Sequence, residues 1–209
     1  MRRLAALKML LHDRATTAGS LLGVIAIVFL VGQQLSVLFG LFSYMSVLVD
    51  HSGADIWICS KNTENVNASG SIPIRYLDRI GGLAGIEWVE PVVFGSGTFK
   101  REDGQRQVVQ VVGVRNPRMA LGPWRFSQGS PGSMFDYDGI TVDKLDLKIL
   151  GYPKLHQFYE INSKRVRISG ITQSIRGFGG TLVFTNMVKA KELINFSPGR
   201  CTALLVKLN

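Results

Sequence analysis

The sequence is poor in the residues from which catalytic and metal centres are usually built. Its 209 residues hold only two cysteines and three histidines. His12, His51 and His156 fall at no H-x-x-x-H spacing, and Cys59 and Cys201 form no C-x-x-C pair. Structural zinc sites and redox dithiols are read from such spacings. An exposed or capping role is therefore the plain reading of His51 and His156. A P-loop, G-x-x-x-x-G-K-[ST], is absent. The glycine-rich stretch Gly177–Gly180 precedes a strand-like run rather than a helix, so it reads as a turn and not as a phosphate cradle. Asp136 and Asp138 lie among glycines but fit no EF-hand pattern, and a solvated turn is expected there. These absences argue against an enzyme and imply no cofactor and no metal. The net charge is +9, yet lysine and arginine form no run and no basic helix face, so nucleic acid is not an expected partner.

One more absence carries the strongest signal: Ser20 to Val49 contains no charged residue. As a helix rising about 1.5 Å per residue, this run spans about 45 Å, more than the roughly 30 Å hydrocarbon core of a bilayer. The expectation is a transmembrane helix over residues 19–49 that continues past the apolar core, with Phe39, Phe42, Tyr44 and Met45 at the interface or against protein. A cleaved signal peptide fits less well, because the run exceeds an h-region and no A-x-A site follows. Gln33 and Gln34 read either as the outer membrane boundary or as polar contacts between helices. Arg2, Arg3, Lys8 and Arg14 outweigh Asp13 before the run, which places the N-terminus in the cytoplasm and residues 50–209 outside. Residues 1–18 read as a cytoplasmic amphipathic segment, with Leu4, Leu7, Leu10 and Leu11 on one face.

Beyond Asp50 the pattern is that of a mixed α+β domain, mainly antiparallel, occupying residues 50–209. Asp55–Ser60 reads as a strand and 61–71 as a polar loop. Pro73 is placed at the start of a short helix ending near Ile80. Trp88–Phe94 reads as a strand bent or edged by Pro91. Gly97–Val114 is a hairpin around Asp103-Gly104, its second arm, Val108–Val114, buried on both faces. The stretch from Asn116 to Phe135 is a long loop rich in Gly, Pro and Ser. Within it Trp124 and Phe126 are candidates either for contact with an apolar partner or cargo, or for core anchoring. Thr141–Leu150 is expected to be helical. Arg165–Ile171 and Leu182–Phe184 read as strands, Thr185 as the cap of a helix to about Asn195, and Leu204–Leu208 as a last strand.

The order of these features, with three segments, resembles the MacB-like (macrolide-exporter-like, FtsX-type) ABC transporter permeases. The segments are GADIWICS at Gly53–Ser60, IPIRYLDRIGGLAGIEWVEPV at Ile72–Val92, and INSKRVRISGITQSIRGFGGTLVFTNMVKAKELINF at Ile161–Phe196. Glycolipid-exporter-like members are the most similar, through GADIW. The resemblance implies a bacterial inner-membrane protein with a periplasmic core domain. Its implied partners are an ABC ATPase subunit and a periplasmic adaptor, besides membrane lipid. Permeases of this kind continue past the core domain with three more membrane helices. The chain therefore looks like the N-terminal half of one, acting as a homo-oligomer or beside a C-terminal permease half.

The function expected on that basis is a permease-type subunit of an ABC export or mechanotransmission system, its outer domain contacting an adaptor or a lipid-like cargo. The alternatives are a stand-alone anchored binding or scaffold module, or a non-functional permease fragment. In such permeases the first and last strands of the core domain both lead to membrane helices. Cys59 and Cys201 belong to those two regions and to an oxidising compartment, so a disulfide between them and a pair of buried free thiols both stay open.

Overall fold

The computed structural model describes residues 14–61, 63, 70–177 and 180–209. The expected amphipathic segment before residue 14 lies outside the described residues. So do most of the polar loop after Lys61 and the middle of the 177–180 turn. The charge-free run forms one helix, α1 (Arg14–Asp50), long and apolar enough to cross a membrane. Leu22, Ile27, Phe29, Val37, Phe39 and Phe42 are all exposed on it. Apolar residues around the whole circumference are what lipid contact requires, whereas a soluble surface helix keeps a polar face. The chain divides into two units, Met1–Ser43 and Tyr44–Asn209. The end of α1 therefore belongs with the domain, and Leu48 packs on the domain's core.

The domain is built from β1 (Ile56–Cys59), β2 (Ile72–Pro73), α2 (Tyr76–Gly81), β3 (Ile86–Lys100), β4 (Arg106–Val114), β5 (Phe126–Gln128), β6 (Gly139–Asp143), β7 (Phe158–Ile161), β8 (Lys164–Thr172), β9 (Thr181–Asn186), α3 (Met187–Leu193), β10 (Arg200–Cys201) and β11 (Ala203–Leu208). The main sheet runs β1-β11-β3-β4-β9-β6-β8-β5. Strand β7 pairs with both β3 and β8, so β3, β4, β9, β6, β8 and β7 close into a small barrel. Only the β4–β9 and β6–β8 pairings are parallel. The sheet is thus mainly antiparallel, as the sequence pattern predicts.

Strand β3 is long because it changes partners halfway. Ile86–Val92 pairs with β11 and Val93–Lys100 with β4. Pro91 sits in the first half, where β4 does not reach, so its missing N–H breaks no ladder there. The hairpin between β3 and β4 turns at Asp103-Gly104. Gly104 has φ of 82°, and the Asp103 carboxylate accepts from the Gln105 amide at 3.0 Å.

Strand period two divides the apolar residues between two layers. Phe99, Val109, Val111, Ile140, Val142, Ile161, Val166, Ile168 and Val183 fill the barrel. Val92, Phe94, Val112, Val114, Leu182, Phe184, Ala203 and Leu205 face the other way, where Ala120, Leu121, Met134 and Ile175 cover them. Helix α3 closes on the barrel layer through Ala190 and Leu193. Its approach depends on Gly113, where a Cβ would lie 2.3 Å from the Ala190 Cβ.

Several expectations are corrected. Thr141–Leu150 is not a helix. Gly139–Asp143 is a buried strand held between β8 and β9, and a short 3-10 turn, Lys144–Asp146, follows it. The β-branched Ile140, Thr141 and Val142 suit the sheet, and the Asp143 carboxylate accepts from the Leu145 and Ile175 amides at 2.9 and 2.8 Å, capping the 3-10 turn and tying it to the segment after β8. Pro73 pairs with Arg200 instead of starting a helix, and α2 begins later, at Tyr76. The cap of α3 is Asn186, accepting from the Lys189 amide at 2.8 Å. The Thr185 hydroxyl instead donates across the sheet to the Gly139 carbonyl at 2.6 Å. In β4, Val108 is exposed and burial begins at Val109.

Asp138 is no solvated turn residue. Its carboxylate is buried and binds the Lys189 ammonium at 2.6 Å and the Arg165 guanidinium at 3.1 Å, tying the entry of β6 to α3 and β8. Burial alone would raise the carboxyl; the bonds from Lys189 and Arg165 outweigh it and hold the group below its usual range. A carboxylate lowered on folding contributes its stability in full above the unfolded value of about 3.9, and loses it as pH falls through the folded value. Asp138→Asn should therefore destabilise the protein by about 1–3 kcal/mol at neutral pH, the cost of losing charge-assisted bonds while Lys189 keeps its pair with Glu192. It should also remove part of the acid-side loss of stability. Chemical denaturation of the full chain in detergent, from pH 7 to 3, reads both effects.

Candidate functional site

A cavity walled by both tryptophan and arginine lies where α1 gives way to the domain. The helix end is capped from within. The His51 ring bonds the Val47 carbonyl through Nδ1 at 2.9 Å, and the Ser52 hydroxyl donates to the Val49 carbonyl at 2.7 Å. Gly53, at φ 69°, then turns the chain towards β1. The Trp124 ring stacks on His51, centroids 3.9 Å apart and 12° from parallel.

Trp124 is carried by the segment after β4, which turns sharply. The Met119 amide donates to the Arg115 carbonyl at 2.9 Å, and the Gly122 amide to the Met119 carbonyl at 2.6 Å. Met119 and Leu121 both have positive φ, 52° and 67°. A left-handed backbone at such side chains costs about 1–3 kcal/mol each and persists only where surroundings enforce it. Here the surroundings are the buried Ala120 and Leu121, and an ion pair from Arg115 to the largely buried Glu90 at 3.0 Å. Arg118 lies over the Trp88 ring, 5.5 Å from its centroid. Together His51, Ser52, Gly53, Trp88 and residues 118–124 wall a cavity of about 350 Å³. A second cleft, about 540 Å³, lies at the 3-10 turn after β6, between Lys144, Leu145, Lys148, Tyr152 and Gln173.

The structure separates the two aromatic candidates. Trp124 lines the cavity, whereas Phe126 lies in β5 against Gly170 of β8, away from its walls. His51, Trp88 and Arg118 went unmarked as site residues in the sequence reading. Only the fold brings them to Trp124, and no spacing links them. No group of three or more His, Cys, Asp or Glu among the described residues is placed to hold a metal ion.

Cys59 and Cys201 are free thiols. Cys59 pairs with Ala203 and packs with the outer layer, whereas Cys201 packs in the barrel layer. The two sit on opposite faces because the chain breaks step at Thr202. Its amide bonds the Val92 carbonyl and its hydroxyl the backbone of Phe94. Burial raises the Cys59 thiol and pushes Cys201 up to about 11, against the pull of Lys191 and Arg200.

No family model matches the sequence, and no curated protein matches it. Solved structures do. The periplasmic region of MacB from Actinobacillus actinomycetemcomitans superposes with a TM-score of 0.54 at 12% identity, over 79% of this chain and 80% of that one. The fold is that of a MacB-like periplasmic domain. The extracellular domain of the noncanonic ABC-type transporter YknZ, from Gram-positive bacteria, is also similar, with a TM-score of 0.51 at 12% identity over 74% and 81% of the two chains. The MacB-like order of segments in the sequence and the shape of the folded domain therefore agree.

Two outcomes follow. The His51–Trp124 stack should show a coupling of about 0.5–1 kcal/mol in a double-mutant cycle of His51→Ala and Trp124→Ala, measured by denaturation of the full chain. In membranes prepared without reductant, Cys201 should resist thiol reagents at pH 8 until the protein is unfolded, and both cysteines should then label. A reductant-sensitive gel shift lost in Cys59→Ser would contradict this.

Proposed function

We propose that the chain is a permease-type membrane subunit, or the N-terminal part of one, in an ABC export or mechanotransmission system. It carries a non-catalytic domain outside the cytoplasmic membrane that engages a periplasmic adaptor or a lipid-like cargo. The observation that carries this reading is where the domain begins and ends. Strand β1, entered from α1, pairs directly with the last strand β11, Ile56 opposite Val206. The Asp55 carboxylate accepts from both the Lys207 ammonium and the Leu208 amide, each at 2.9 Å. The chain thus returns to the point at which it entered, which a domain held between two membrane helices requires. The similar fold of the periplasmic region of MacB and of the extracellular domain of the ABC-type transporter YknZ supports the assignment.

The orientation follows from the positive residues before α1. A reporter active only in the cytoplasm should be silent when fused after Asn209, and one active only outside should work there. Affinity purification of the chain, tagged at its own locus and cross-linked in the membrane, should recover an ATPase bearing a P-loop. Recovery of no nucleotide-binding partner would favour a stand-alone anchored module.

A further inference from the structure

The cavity at the end of α1 has the chemistry of a binding site for one class of molecule. Among its lining residues the single formal charge is Arg118, and no acidic side chain lines it. Arg118 forms no ion pair among the described residues. Its neighbour Arg115 is already engaged by Glu90. The guanidinium lies over Trp88, 5.5 Å from the ring centroid, and no hydrogen bond or ion pair to another described residue takes up its N–H groups. That planar fork matches a phosphate better than an ammonium would. The rest of the wall is apolar or aromatic: Trp88, Trp124, Met119, Leu121 and Pro123. A cavity of about 350 Å³ falls in the range of small-molecule sites, which combine apolar walls with a few fixed polar groups. The buried Ala120 and Leu121 and the Arg115–Glu90 pair hold the strained backbone of this wall in place.

Its level along the chain is informative. Ser20 to Val49 spans about 45 Å as a helix, close to the roughly 40–45 Å of a bilayer with its headgroup layers included. His51 stands just past that run. His51, a residue of the cavity wall, thus follows closely on the uncharged run, and tryptophan is favoured at the headgroup level of a membrane.

We infer that the cleft walled by His51, Trp88, Arg118, Met119, Leu121 and Trp124 binds the head of a phosphate-bearing amphiphile. The phosphate lies on the Arg118 guanidinium, and the first apolar segment lies on Trp88 and Trp124. The inference rests on the membrane and transport reading above only for where the ligand comes from. A phospholipid of the surrounding leaflet and a phosphorylated amphiphilic cargo share this chemistry.

The test uses the full chain in maltoside micelles, which contain no phosphate. Dihexanoylphosphatidylglycerol is titrated while the indole N–H resonances of Trp88 and Trp124 are followed by NMR. Saturable shifts of both are expected, with glycerol 3-phosphate alone and octyl glucoside alone each at least tenfold weaker. Arg118→Gln should weaken binding at least tenfold and Arg118→Lys by less, while Lys144→Gln in the second cleft leaves it unchanged. Linear, unsaturated shifts, or equal binding by Arg118→Gln with an unchanged melting curve, would overturn the site. Equal binding of glycerol 3-phosphate would overturn the amphiphile assignment. Mass spectrometry of lipid retained through purification separates the sources: phospholipid kept by the wild type and lost in Arg118→Gln marks the leaflet, and binding of added amphiphile alone marks cargo. Recovery of an ATPase partner is independent of this titration, so the transporter reading and the ligand site fail separately.

Discussion

The arrangement of the domain depends on β11. It takes β1 on one side and the first half of β3 on the other, so the last strand is locked between the first strand and the longest one. A strand contributed from the end of the sequence must wait for the rest of the domain, and its two ladders then fix both where the chain enters and where it leaves. The Asp55 contacts to Lys207 and Leu208 repeat that constraint in side-chain form. Everything between β1 and β11 is free to build outward as long as it returns to one place.

Outward from that junction the sheet faces a second problem, because its strands are apolar on both sides. Closing six of them into a barrel buries one side, with α3 covering it through Ala190 and Leu193. The other side needs a lid, and the long segment after β4 supplies it through Ala120, Leu121 and Met134. The segment that covers the outer layer is thus the one that presents Trp124 and Arg118. The strain at Met119 and Leu121 is tolerated because the same lid is anchored by burial and by the Arg115–Glu90 pair. Packing and the candidate site are two consequences of one loop.

Local signals were legible where the local chemistry has a single outcome. The Asp103-Gly104 turn, the proline on an open flank of β3 and the uncharged helix all follow from nearest neighbours. The misread stretch, Thr141–Leu150, has apolar residues that fit either period. Its strand state is decided by β8 and β9 on its flanks. Asp138 looked like a turn residue because Arg165 and Lys189, which neutralise it, are distant in sequence. The cap of α3 falls one residue later because Thr185 is still a strand residue, its hydroxyl bonded across the sheet to Gly139, and the Asn186 side chain reaches the Lys189 amide.

By itself the sequence determined the long uncharged helix, the excess of positive charge before it, the mixed α+β character and the MacB-like order of segments, because composition and short-range pattern are enough to specify each. It could not determine which faces Cys59 and Cys201 occupy, since one broken step at Thr202 reverses the parity of a strand. Nor could it assemble the cleft. His51, Trp88, Arg118 and Trp124 come from a helix end, a strand and a strained loop, and they share no spacing. Only the closure of the sheet and the covering of its outer face bring the cation and the aromatic rings to one wall.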